Sequence, residues 1–190
     1  LMDMYLDAKS SIKISDFENK SLVDLIVKLG GEVNGTSQEK KKKRQEAVAE
    51  TIENNVRKVI IEESKTNPKY YEKMSKLLDE IIKVRKKETC DYKDYLEKIK
   101  ELATKVAEPS LGESYPNSIN TRAKQALYDN LDNDESLANV IDEAVQYNKL
   151  DGWRDGGIKE KKLMLAVNCI IRDTDKTLTL MEIIKAQSEY

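Results

Sequence analysis

Apolar and polar residues alternate with a helical period through most of the chain. From Ala47 to about Ser64, the residues Val48, Ile52, Val56, Val59 and Ile60 share one stripe at about 100° per residue, which predicts an amphipathic helix. Asn55 sits inside that stripe, between Ile52 and Val59, while Ile61 lies on the far side near Arg57 and Glu50. An unpaired buried amide costs about 1–3 kcal/mol, so Asn55 must find partners. A neighbouring loop is one source, and a contact to another domain or to DNA is the other. Ile61 predicts a second packing partner for the same helix.

"KTNPKYYEKM" then reads as a stop and a restart, with Asn67 as the cap and Pro68 at the first helical position. Downstream, Tyr70, Met74, Leu77, Leu78, Ile81, Ile82 and Val84 form a wide stripe. Tyr92, Tyr95, Leu96, Ile99, Leu102, Ala103 and Val106 continue it in phase, and no Gly or Pro interrupts residues 69 to 108. The pattern therefore favours one helix from Pro68 to about Ala107, about 60 Å long. The rival is a hairpin turning at "ETCD", where Thr89 or Asp91 would cap the second arm.

"EPSLGESYPNSIN" carries Pro109, Gly112 and Pro116 and marks the clearest boundary. Shorter helices follow: "TRAKQALYDNL" after a cap at Asn120, and "ESLANVIDEAVQYN" after Asp134. The latter places Leu137, Val140, Ile141, Ala144 and Val145 on one face. "DGWRDGG" is a turn-rich break whose Trp153 is expected to plug a small helical core. Two amphipathic helices close the chain. Upstream, "SLVDLIVKLG" reads as a short helix stopped by Gly30 and Gly31, and "GGEVNGTS" as a linker. The expectation is an all-α fold, with long helices in an irregular bundle and a smaller C-terminal helical subdomain. Residues 1–36 would form a connector, 37–108 the long-helix domain and 109–190 the smaller domain.

Composition agrees with this reading. Only 7 Gly and 3 Pro interrupt the 190 residues, and 36% are charged against 39% hydrophobic. Nine Tyr stand against one Trp and one Phe, so Ile, Leu and Val must build the cores. The formal net charge of −2 gives no global basic field, and any nucleic-acid contact has to come from local patches. Two qualify: the run Lys40, Lys41, Lys42, Lys43 and Arg44, and "KVRKKE" with Lys83, Arg85, Lys86 and Lys87. They either track phosphates without reading bases or are solvated helix ends that complement the helix dipole.

Histidine is absent, which removes the commonest general base and metal ligand together. There is no phosphate-cradling Gly-rich loop followed by Lys-Ser or Lys-Thr. Glu62, Glu63, Asp132, Asp134 and Glu135 read as solvated charge, and Cys90 and Cys169 as inert thiols in a reducing compartment. No catalytic, cofactor or metal site is expected. With no apolar run near 18 residues and no signal peptide, a soluble cytoplasmic protein is the expectation. The chain opens at Leu1 within an apolar pattern, as a piece of a longer protein would.

"AVAETIENNVRKVIIEESKTNPKYYEKMSKLLDEII" resembles the helical region of the restriction (motor) subunit of type I restriction–modification enzymes. "DMYLDAKSSIKISDFENKSLVDLIV" is similar to the segment after that subunit's second motor domain. "YPNSINTRAKQALYDNL", "DGWRDGGIKEKK" and "KAQSEY" resemble its C-terminal region. The similarity is collinear over nearly the whole chain, though the spacer before "AVAETIENN" is shorter here. It implies a subunit with a nuclease domain and two motor domains, using ATP and Mg to translocate duplex DNA; this chain would be the parts that follow. The nuclease and helicase motifs have no match here, so no catalytic residue carries over.

The expected role is a non-catalytic module of an ATP-dependent type I site-specific deoxyribonuclease, coupling its motor to the methylation and specificity subunits. Asn55, Arg57 and Ile61 would face the partner. The alternative is a sequence-independent duplex-DNA-binding module acting through Lys40 to Arg44 and through Arg85, Lys86 and Lys87.

Overall fold

The structure, a computed structural model, describes residues 38–87, 91–109, 114–155 and 157–190, together with Asp24 and Ile26. These residues form seven α-helices and one 3-10 turn, with no strand among them. The first three helices are α1 (Gln38–Glu63), α2 (Pro68–Lys86) and α3 (Tyr92–Ala107). Then come α4 (Arg122–Asn130), α5 (Glu135–Asn148), the 3-10 turn (Trp153–Asp155), α6 (Ile158–Ile171) and α7 (Thr174–Ala186). Of the expected connector over residues 1–36, only Asp24 and Ile26 belong to the described residues. Both are helical, and Ile26 is buried in the first core. Cys90 lies outside the described set, and Cys169 is a free, exposed thiol.

Residues 69–108 are not one long helix, as the phase of their stripe favours. They are two antiparallel arms. The hydroxyl of Tyr70, near the start of α2, donates to the carbonyl of Lys105 near the end of α3 at 2.8 Å. Arg85, near the end of α2, lies 5.8 Å over the ring of Tyr95 near the start of α3. Asp91 caps α3, its Oδ1 accepting from the Tyr92 N–H at 2.7 Å. The physical reason is burial: a single straight helix offers its stripe nothing to pack on. Folded back, Tyr70, Met74 and Leu78 cover Tyr95, Ile99 and Val106. Each large aliphatic buried this way contributes up to about 1.5–3 kcal/mol. The stripe keeps its phase through a turn, so periodicity alone cannot separate the two arrangements.

α1 completes this first core with Ala49, Ile52, Val56 and Ile60, and the hydroxyl of Tyr95 donates to the Ala49 carbonyl at 3.2 Å. The restart falls where the sequence predicts it: Asn67 Oδ1 accepts from the Tyr70 N–H at 3.3 Å, with Pro68 opening α2. In the second core α4 packs on α5, α5 on α6 and α6 on α7, and α7 returns to α4. Ile141, Val145, Leu163, Val167 and Ile184 fill it, with Trp153 buried among them as expected. Of the face predicted for α5, Val140 is instead 45% exposed. Asp134 caps α5, accepting from the Leu137 N–H at 2.9 Å.

The cap of α4 is Thr121 rather than Asn120. Its extended backbone aims Oγ1 at the Lys124 N–H, 3.2 Å away. The carboxylate of Glu189 accepts from the N–H groups of Arg122 and Ala123, at 3.1 and 2.9 Å, so the orphan donors of this helix start are filled from the far end of the second core.

The two cores share no buried apolar residue among the described residues. They meet at the corner between α1 and α2 through polar groups. Asn67 Nδ2 donates to Asp129 Oδ2 at 2.6 Å, and Asn130 Nδ2 donates to Asn67 Oδ1 at 2.9 Å. Tyr115 donates its hydroxyl to the same Asp129 oxygen at 2.9 Å, and Gln187 Nε2 reaches the Thr66 carbonyl at 2.7 Å. Lys69 pairs with Asp132 at 2.6 Å. Asp132 and Asn133 adopt left-handed backbone (φ 58° and 64°) in the turn leaving α4, a conformation these two residue types tolerate well.

Candidate functional site

The face of α1 that carries Arg57 and Ile61 is built by the same sequence that buries the opposite stripe. With Ala49, Ile52, Val56 and Ile60 committed to the core, the helical period turns Ile61 outward, where 63% of it is exposed. Asn55 is half-buried at the margin of the stripe. Its Nδ2 is screened from solvent and meets no hydrogen-bond acceptor among the described residues. Arg57 reaches across to α2, donating from Nη2 to Asp79 Oδ1 at 2.7 Å, with its side chain 40% exposed. Ile61 therefore stands exposed, Asn55 sits at the edge with an unused donor, and Arg57 is partly committed within the fold.

The cationic residues divide. Lys42, Lys43 and Arg44 are exposed in the early turns of α1. Lys40 and Lys41 belong to its first turns, their side chains lying outside the described set. Lys86 and Lys87 are exposed at the end of α2. Arg85 is a correction to the sequence reading, because it does not face solvent as a phosphate contact would. Its Nε and Nη2 donate to the two carboxylate oxygens of Glu53 at 2.7 and 3.0 Å, and the two side chains are only 14% and 8% exposed. Burial opposes the Arg85 charge, but the hydrogen bonds and charge of Glu53 outweigh it and hold the guanidinium pKa above its ordinary value. Burial likewise pushes the hydroxyl of Tyr95, beneath Arg85, well above the usual tyrosine range.

The groove between α1 and α2 therefore does not present a uniform cationic surface. Arg57, Lys83 and Lys86 line it together with Glu50, Glu53 and Asp79. Interleaved carboxylates repel a phosphate backbone as strongly as the cations attract it. The Glu53–Arg85 pair is the feature the sequence reading missed. Its signal was present: Glu53 falls on the edge of the apolar stripe of α1, where a carboxylate needs a partner from a neighbouring helix.

Among the described residues, no cluster of three His, Cys, Asp or Glu side chains is placed to hold a metal ion. No helix among them is long and apolar enough to cross a membrane. Comparison with protein-family models, with curated proteins and with solved structures finds no match to this chain.

Proposed function

We propose that the chain is a non-catalytic helical module of the motor subunit of a type I restriction–modification enzyme. In this role it couples ATP-driven DNA translocation to the methyltransferase–specificity complex during cleavage of foreign DNA. The observation that carries the reading is the two-sided character of α1, which buries Ile52, Val56 and Ile60 in its own core and leaves Ile61 exposed on another face. A helix that seats one apolar face within its own fold and offers a large aliphatic elsewhere is suited to bracket two bodies. The collinear resemblance of the quoted segments supports the same reading. ATP and Mg would be bound by motor domains that this chain does not contain.

The test is capture of the purified methyltransferase–specificity complex by this chain, with and without duplex DNA, for the native sequence and for Ile61→Asp. The expected result is capture without DNA, lost in the variant while the variant keeps its native helical signal. Capture that requires DNA and survives Ile61→Asp would move the role to a duplex contact through Lys42 to Arg44. No capture in either condition would refute the assembly reading.

A further inference from the structure

A second helix is apolar on two sides. α6 buries Leu163 and Val167 completely, yet Ile158 is 87% and Leu165 60% exposed. At about 100° per residue, Ile158, Lys162, Leu165 and Cys169 line up opposite the buried face, and Arg172 follows as the left-handed cap residue of the helix. These positions recur at alternating steps of four and three residues, the spacing of a two-helix seam. Lys162, Cys169 and Arg172 are exposed, as is Lys161 beside them. No carboxylate falls on this line: Glu160, the one acid within the helix, points elsewhere and is paired with Lys185 of α7.

We infer that the outer face of α6 is a docking surface for an acidic amphipathic helix of a protein partner. The exposed aliphatics ask for apolar cover, and the cations among and beside them ask for carboxylates flanking that cover. A nucleic-acid backbone would satisfy Lys161, Lys162 and Arg172 but would offer nothing to Ile158 and Leu165. An anionic lipid surface needs a broader apolar face than one line of small-to-medium side chains without an aromatic. Charge complementarity and seam spacing together therefore favour a helix. The surface belongs to the second core, whereas Ile61 belongs to the first. The inference goes beyond the assembly reading and can fail without it.

The test follows amide chemical shifts of the isotopically labelled 190-residue chain during titration. The probe is a synthetic helical peptide with Leu at its seam positions and Glu flanking them. The controls are a shuffled peptide of the same composition, a short DNA duplex and phosphatidylglycerol vesicles. The expected result is a saturable shift confined to α6 with the amphipathic peptide alone. Leu165→Glu should weaken that binding about tenfold or more. Neutralising both Lys161 and Lys162 to Gln should weaken it and flatten its salt dependence. Equal binding of the shuffled peptide, an unchanged affinity in Leu165→Glu, or shifts on α6 produced by DNA or vesicles but not the peptide would overturn the proposal. Unfolding of Leu165→Glu, checked by circular dichroism, would also overturn it by making Leu165 core.

Discussion

Replacing Arg85 by Met would keep the apolar stem of the side chain while removing the charge and the guanidinium that lies over the Tyr95 ring. Glu53 would then hold a carboxylate that is 8% exposed with neither the bidentate donor nor the compensating charge it now has. Breaking a buried pair from one side typically costs about 3–5 kcal/mol. Because Arg85 sits toward the mouth of the pair and water can approach from its side, the lower end applies, about 3 kcal/mol. For a chain of this size that corresponds to a drop in Tm of roughly 6–12 °C. Thermal unfolding by circular dichroism, with urea titration as a check, measures it. The double variant Glu53→Leu/Arg85→Met removes both charges and is expected to recover most of the loss, since apolar replacement of a whole buried pair is often neutral or stabilising. If Arg85→Met lies within 1 kcal/mol of the native chain, or if the double variant is no better than the single one, Glu53 is effectively solvated and the reasoning fails.

Four further outcomes follow from the geometry. Ile61→Asp should change stability by less than about 0.5 kcal/mol, because the side chain is largely in water already; urea unfolding checks this. Asn67→Ala removes the α2 cap and the junction bonds to Asp129 and Asn130 together, and is expected to cost about 2–4 kcal/mol in the same assay. Trp153→Ala should cost about 3–5 kcal/mol; as the sole Trp, this buried side chain also makes indole fluorescence a reporter of the second core, to be compared with the helical signal of both. Alkaline pH should destabilise the protein: burial and then the charge of Glu63 raise the Tyr71 hydroxyl from its ordinary 10 to about 12. The folded state therefore holds this proton more tightly than the unfolded one, so stability is lost as pH rises from 10 through 12, and Tyr71→Phe should lessen the loss.

The helical class was legible because the apolar residues repeat at helical spacing and few Gly or Pro break them. The start of α2 was legible too, since Asn67 and Pro68 act through local backbone chemistry alone. The arm-to-arm fold of α2 and α3 was not, because a stripe keeps its phase whether the chain runs straight or turns. The cap of α4 was displaced by one residue: Asn120 and Thr121 both have a competent oxygen, and only the backbone angles decide between them. At the candidate site, the outward position of Ile61 follows directly from the helical period. The fate of Arg85 does not, because its partner lies 32 positions away on α1, and the register between two helices is set by packing.

The joint between the two cores has a mechanical consequence. Its hydrogen bonds through Asn67, Asp129 and Gln187 are short and directional, and the buried apolar clusters on either side have no residue in common. Such bonds weaken steeply with small displacements, whereas apolar burial is lost in proportion to the area uncovered. Under tension the joint should therefore be stiff up to a small extension and then yield abruptly, while each core stays folded on either side. A body built this way should transmit modest loads without deforming and part first at this seam under larger ones.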